Sequence, residues 1–276
     1  MKARQPGPDA LVSGPHGWIE AGHILGEGVR LVFTNRLGGT SEPPFHAMNL
    51  SMKVGDDPGR VSENRRRLAQ YLERDPEDFA FLKQVHGVDI VRLGPEKNLD
   101  PGARERLSSS GYAYPGVDGA VTLRPGPVLC VLTADCAPLA LYHPRGAGAL
   151  LHAGWMGTHS DIAGRGVRSL CELVDGDPEE IRGVIGPCIG PCCYRVDEER
   201  ARLFADLYGE GSGVIRESPE GCFLDLRIAN LINLERAGVR PRNLVVLDIC
   251  TSCRKEYFSH RREGKTGRQG AFLLLY

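Results

Sequence analysis

Two apolar runs, 139–143 and 149–152, are separated only by Pro144-Arg145-Gly146-Ala147-Gly148. No other stretch of the chain so restricts its folding, because the pattern predicts a β-hairpin with a short glycine-rich loop. With the turn centred near Arg145, position 152 stands opposite position 138. Cys136 is then two residues further along, an offset of about 7 Å at about 3.3 Å per residue. His152 and Cys136 come to the same end of the hairpin, where a strand meets a turn and reactive groups are commonly carried. His143 falls at the other end and is a poor partner for them.

Strand-like and helical runs mix along the remaining sequence. Residues 31–34, 90–93, 119–123, 128–132, 183–185, 244–249 and 271–276 read as further strands. Residues 61–74, 160–174, 197–208 and 225–237 read as helices, with Gly176 and Gly238 as terminators. This predicts an α/β (α+β) fold, and the hairpins argue for mixed sheets. The 276 residues suit a single domain. At this size about three quarters of the unfolded surface can be buried without a staple. Residues 1–17, rich in Pro and Gly, read as a flexible arm before a catalytic domain over 18–276, and 94–115 as a surface excursion.

The charge balance, 34 Lys plus Arg against 35 Asp plus Glu, gives no electrostatic reason to bind nucleic acid or a membrane surface. A small-molecule substrate is expected instead. Nine cysteines, an odd number, and no apolar core in residues 1–14 predict a reduced, cytoplasmic protein rather than a disulfide scaffold. The longest apolar stretch, 128–142, is interrupted by Asp135 and falls short of the ~20 residues that a membrane span requires.

Three short segments aim side chains outward: Lys83-Gln84-Val85-His86-Gly87, Ala134-Asp135-Cys136-Ala137-Pro138 and His152-Ala153-Gly154-Trp155. A thiolate with two imidazoles makes a zinc site whose fourth position stays open for water or substrate, the pattern of catalysis rather than of structure. Spacing supports Cys136 with His152; His86 is added for its Val-His-Gly context before a strand-like run. A buried Cys is also a common small core residue, so composition and spacing leave both readings open.

These segments are also where the chain resembles the laccase-domain family, described both as polyphenol oxidases and as zinc-dependent purine nucleoside phosphorylases. The matching stretches include Thr34-Asn35-Arg36-Leu37-Gly38-Gly39, Glu63-Asn64-Arg65, Gly186-Pro187-Cys188-Ile189-Gly190-Pro191-Cys192-Cys193-Tyr194 and Thr266-Gly267-Arg268-Gln269, besides the three segments above. The resemblance runs from about residue 31 to the C-terminus. It implies a single layered α/β/β/α domain and zinc bound by His86, Cys136 and His152. Four positions depart from the family pattern: Met156 where a cation is common, Arg195 where an acid is usual, His260 for a Tyr, and Lys53 where His is frequent.

Arg65 falls on the apolar stripe of helix 61–74 with Val61, Leu68 and Leu72. A guanidinium there either binds an anion, phosphate or carboxylate, or buries its stem and snorkels to water. The family motif favours the anion, with Lys53 as a second phosphate contact. Asp135 is a candidate general base or a partner orienting a ligand His, and Asp118 reads as a turn or cap residue. Cys188, Cys192, Cys193, Cys250 and Cys253 could form a second zinc site, but Pro187-Cys188-Ile189-Gly190-Pro191-Cys192-Cys193 lacks the regular Cys-x-x-Cys pair of a zinc ribbon and its partner pair lies more than fifty residues away, so they read as buried thiols. Gly264-Lys265-Thr266 mimics the end of a P-loop, but Ser259 stands where the first Gly is needed.

The resemblance implies a purine nucleoside phosphorylase with adenosine deaminase and methylthioadenosine phosphorylase activity, a monomer or homodimer acting on purine nucleosides and phosphate. Zinc lowers the pKa of bound water to about 7, which would serve deamination. The competing reading makes Cys136 the nucleophile of an amide hydrolase, such as one acting on a cell-wall precursor, with His152 or His86 as base. Copper, and with it a polyphenol oxidase, is the less favoured metal. No two of the eight histidines are spaced two residues apart, as the His-x-His pairs of multicopper sites require.

Overall fold

Strands rich in Val, Leu and Ala that are buried along their whole length need cover on both faces of their sheet. Val128–Thr133, Ala137–His143, Ala147–Ala153 and Gln269–Leu275 are buried at every position. The computed structural model, which describes residues 11–94 and 101–276, meets this requirement by stacking two sheets between two helical layers.

One sheet runs Val12–Ser13, Ile19–Glu20, Val29–Phe33, Gln269–Leu275, Val128–Thr133, Phe79–Lys83, Tyr114–Pro115. The other runs Leu244–Val246, Arg182–Ile185, Ala137–His143, Ala147–Ala153, Gly119–Leu123, Ile90–Arg92. Both are mixed: Phe79–Lys83 pairs in parallel with Val128–Thr133, and Arg182–Ile185 with Leu244–Val246, while the central pairings are antiparallel. A small third sheet joins Arg195–Val196, Gly221–Leu224 and Ile215–Ser218.

Period-2 alternation sorts the side chains between the layers. Leu129, Val131, Leu273 and Leu275 face Ala140, Tyr142, Leu150 and Val184 across the sheet–sheet interior. Val128, Cys130, Phe272 and Leu274 face outward onto Leu68 and Leu72 of the helix Pro58–Leu72. On the far side Leu139, Leu141, Ala149 and Leu151 pack against Ile162, Val167 and Leu170 of the helix Ile162–Val174. Each buried Val, Leu, Ile or Phe among them contributes about 1.5–3 kcal/mol. A one-residue slip would reverse every one of them, so the register is held tightly. The order is α/β/β/α, as the family resemblance implies.

The hairpin register is the expected one: His152 pairs with Pro138 and Ala153 with Ala137. Helix starts are set by aspartates, with Asp57, Asp161, Asp197 and Asp225 each accepting a backbone N–H of the first turn. The excursion at 94–115 contains a helix, Pro101–Ser110. Of the N-terminal segment read as an arm, Val12–Ser13 pairs with Ile19–Glu20, and residues 1–10 lie outside the described residues. Among the described residues no helix is long and apolar enough to cross a membrane.

Candidate metal centre and the cleft around it

Cys136 lies where the chain passes from one sheet to the other, between the strands Val128–Thr133 and Ala137–His143. The crossing uses Asp135 at φ 97°, a left-handed conformation that costs a non-glycine residue of order 1–3 kcal/mol. The surrounding bonds offset this. The Asp135 carboxylate accepts Thr251 Oγ1 and the Arg261 backbone N–H, each at 2.7 Å, and its carbonyl accepts the Ile189 N–H. That left-handed step breaks strand alternation, so Asp135 and Cys136 both line the cleft.

His86 is held in the turn after the strand Phe79–Lys83, also left-handed at φ 64°. Three consecutive N–H groups, of Val85, His86 and Gly87, converge on the Asp118 carboxylate at 3.1, 2.9 and 2.7 Å. The same carboxylate meets His152 Nδ1 at 2.8 Å, and both side chains are buried. A carboxylate on Nδ1 fixes the tautomer and turns Nε2 toward the ligand cluster. Asp118 is thus the turn cap that the sequence suggested and, in addition, the carboxylate that orients a ligand histidine. Asp135, the sequence candidate for that orienting role, has its carboxylate on Thr251 and Arg261 instead.

One ligand atom each from His86, Cys136 and His152 lies within 4.8 Å of the others, close enough to share a metal ion. The two imidazoles meet edge to face with ring centroids 4.9 Å apart. Burial opposes ionisation of the Cys136 thiol, but the charge and hydrogen bonds of His152, with His86, outweigh it and bring its pKa down to about 6. Burial likewise opposes protonation of His152, but Cys136 and Asp118 outweigh it and lift the pKa to about 9. A metal taken up by this cluster would displace the proton that the thiolate and the imidazolium share. The donor set, one soft sulfur and two nitrogens, fits zinc with an open position.

Gly154, the residue after Ala153, was not singled out in the sequence. A Cβ there would fall 3.1 Å from Cys136 Sγ and 3.2 Å from His86 Cδ2, so any side chain at this position would press on the cluster.

The triad opens into a cleft of about 440 Å³, within the range of about 300–1,000 Å³ usual for small-molecule sites. Tyr112, Trp155 and Tyr194 supply aromatic walls; Lys53, Arg200, Arg261 and Arg268 supply cations. Arg200 lies 4.3 Å from the Trp155 ring centroid, and Arg261 lies 5.0 Å from that of Tyr194. Lys53 stands over Tyr112 at 5.3 Å, and burial, then Lys83, holds its pKa below the usual lysine value.

Arg65 is not among the residues lining this cleft. Its guanidinium donates to the carbonyls of Leu50 at 2.9 Å and Gly111 at 2.6 Å and stacks 3.7 Å from the Phe81 ring centroid. It therefore ties together the two loops that carry Ser51, Lys53 and Tyr112 into the cleft.

A family model described as Multi-copper polyphenol oxidoreductase laccase matches residues 30–276. The chain belongs to this laccase family. "Purine nucleoside phosphorylase YlmD" of Geobacillus stearothermophilus is 38% identical over 271 residues, which are 96% of this chain and 97% of that protein. "Purine nucleoside phosphorylase YfiH" of Escherichia coli is 32% identical over 90% of this chain and 95% of its own length. Among solved structures, the Bacillus licheniformis hypothetical protein YfiH superposes with TM-score 0.88 at 33% identity, covering 97% of this chain and 100% of that one. YlmD from G. stearothermophilus gives 0.87 at 37%, covering 97% and 99%.

The departures from the laccase-family pattern fall unevenly around the cleft. Lys53 and His260 line it, whereas Met156 is 41% exposed and does not. Arg195 lies on the small sheet, its carbonyl accepting Arg261 Nη1. Of the five cysteines read as buried thiols, Cys188 alone is buried; Cys192 and Cys253 are exposed, and four of the five come together. The sequence reading missed this because the pairs lie more than fifty residues apart and no periodicity links them. Trp155 and Arg268 were within reach, since both stand in family motifs; Tyr112 and Arg200 carried no such signal.

Proposed function

We propose that this chain is a zinc-dependent purine nucleoside phosphorylase, with the zinc held by His86, Cys136 and His152. The observation that carries the reading is the position of this triad in a cleft whose walls combine aromatic rings with cations. The names of the relatives support the substrate class. Trp155 and Tyr194 offer faces for a purine, since aromatic stacking suits any base. Lys53 and Arg268 line the cleft and are the cations placed for phosphate, Arg268 with Nη1 on the Thr266 and Gly267 carbonyls, while Arg65 lies outside the cleft and holds the loop that carries Lys53. A phosphate oxygen attacks C1′ of the ribose, the N9–C1′ bond breaks, and the purine departs with the bonding pair and takes up a proton. Zinc, when bound, supplies Lewis-acid polarisation at its open position. The same cleft would accept methylthioadenosine, and adenosine deaminase activity would be a separate hydrolysis at C6 of the base, in which water adds and the amino group leaves as ammonia. Zinc is preferred to copper because among the described residues only two histidines join a metal-capable group.

The low pKa of Cys136 favours one competing reading, a cysteine nucleophile acting on an amide such as a cell-wall precursor. Chromatography of the products from adenosine and phosphate, with and without a zinc chelator, separates the two. Adenine with ribose 1-phosphate, or inosine, lost on chelation supports the nucleoside enzyme. Inert nucleosides together with chelator-resistant amide cleavage would replace it with the hydrolase.

A further inference from the structure

Away from the triad, the turn Gly190–Tyr194 and the turn Cys250–Cys253 meet. The first is closed by the N–H groups of Cys193 and Tyr194 on the Gly190 carbonyl at 3.0 Å, and the second by the Arg254 N–H on the Cys250 carbonyl at 3.1 Å. Cys188 and Cys250 pair as an isolated parallel bridge between the two segments. The sulfurs of Cys192, Cys193, Cys250 and Cys253 all lie within 4.8 Å of one another. Cys253 Sγ stands 3.4 Å from Cys193 Sγ and 3.5 Å from Cys192 Sγ.

We propose that Cys192, Cys193, Cys250 and Cys253 form a second metal site, a tetrathiolate zinc site distinct from the His86–Cys136–His152 centre. Zn–S bonds of about 2.3 Å give a tetrahedron an S···S edge of about 3.8 Å; the spacings of 3.4 and 3.5 Å lie a few tenths of an ångström below it, and all four sulfurs lie within 4.8 Å of one another. Cys250-Thr251-Ser252-Cys253 has the Cys-x₂-Cys spacing of zinc ligands. Cys250 Sγ accepts backbone N–H groups from Gly190, at 3.2 Å, and from Cys253, bonds that favour a thiolate over a thiol. A Cβ at Gly190 would fall 3.3 Å from both Cys192 Sγ and Cys250 Cβ, so this glycine permits the close approach. Four thiolates this close repel one another unless a cation lies among them, and soft sulfur donors select zinc.

Four protein sulfurs complete the coordination shell, so the site is structural. What it stabilises adjoins the cleft. The first turn carries Ile189 and Tyr194, which line the cleft, and the Ile189 N–H reaches the Asp135 carbonyl at 2.9 Å. The second carries Thr251, whose hydroxyl donates to the Asp135 carboxylate. Zinc here clamps both flanks of the left-handed residue that presents Cys136. This assignment does not depend on the reaction carried out in the cleft.

The test counts zinc per chain by elemental mass spectrometry, in untagged protein purified under reducing conditions and dialysed into metal-free buffer. Two zinc ions are expected in the native protein, one in Cys136→Ala and one in Cys253→Ser. Cys136→Ala protein with no zinc would overturn the tetrathiolate site, whereas one zinc in both the native and Cys136→Ala proteins would support it and remove the triad. Because Cys253→Ser could fail to fold, the native protein is also alkylated with iodoacetamide and its cysteines mapped. Zinc should slow labelling of the exposed Cys192 and Cys253 by about tenfold or more, and chelator should restore it. Immediate labelling in the zinc-loaded protein, or a disulfide among the four in its intact mass, would sink the proposal.

Discussion

His152 Nδ1 and Asp118 Oδ1 lie 2.8 Å apart in the interior, and the same carboxylate holds the turn that presents His86 through the N–H groups of residues 85–87. One buried acid thereby fixes two of the three candidate ligands. Its pKa lies below the usual Asp value because the His152 hydrogen bond and charge, with the backbone N–H groups, outweigh its burial.

Asp118→Asn keeps the shape and removes the charge. Metal affinity, read by competition with a chromophoric chelator, should fall by about 10–100-fold, the usual effect of losing a partner that orients a ligand. An unchanged affinity would mean that the turn alone positions the histidines.

Gly154→Ala places a methyl against Cys136 Sγ and the His86 ring. We expect metal affinity to drop on the order of tenfold or more, as when ligand-positioning groups are disturbed, with secondary structure by circular dichroism retained. Full metal retention would show that the cluster relaxes around the methyl.

In metal-free protein, Cys136 should behave as a thiolate well below the ordinary thiol range. A pKa lowered to about 6 means that the thiolate persists above that pH and is lost as pH falls through it. The rate of Cys136 alkylation should therefore stay level from pH 8 down to about 7 and halve near pH 6. A midpoint near the ordinary cysteine value of about 8.5 would remove the imidazole pairing.

Lys53 and Arg65 should separate by phenotype. Lys53→Ala is expected to raise KM for phosphate by about tenfold, or about 1.4 kcal/mol, with kcat little changed. Arg65→Met leaves the Leu50 and Gly111 carbonyls without donors, so it should lower stability to urea by about 1–3 kcal/mol per orphaned group. A phosphate KM raised only in Arg65→Met would return the anion site to Arg65.

Much of the fold was legible because its signals are local. The strand pair around Gly146 gave the 152–138 register directly, since turn position and strand period leave no alternative. The helices read at 160–174, 197–208 and 225–237 were legible as helical runs, and the structure starts them after Asp161, Asp197 and Asp225. The strand Phe79–Lys83 and the helix Trp155–His159 did not, being short and set among residues of no clear period. The candidate site divided in the same way. Cys136 and His152 followed from the hairpin, but no spacing picked His86, which rested on its Val-His-Gly context and on the family resemblance. Asp118 gave only the signature of a turn, because its contact with His152 joins residues 34 apart in sequence.

The sequence by itself determined the alternation that builds two sheets, the hairpin that brings Cys136 toward His152, and the motifs that point to His86 as the third candidate ligand. Only the tertiary structure decided that Asp118 stands behind His152, that Arg65 turns its guanidinium onto carbonyls outside the cleft, and that four cysteines from two distant turns converge. The physical reason is one of range. Periodicity, capping and turn chemistry act between neighbours in the chain and leave a pattern there. Hydrogen bonds and ligand clusters between distant segments form only after the layers have stacked, and leave none.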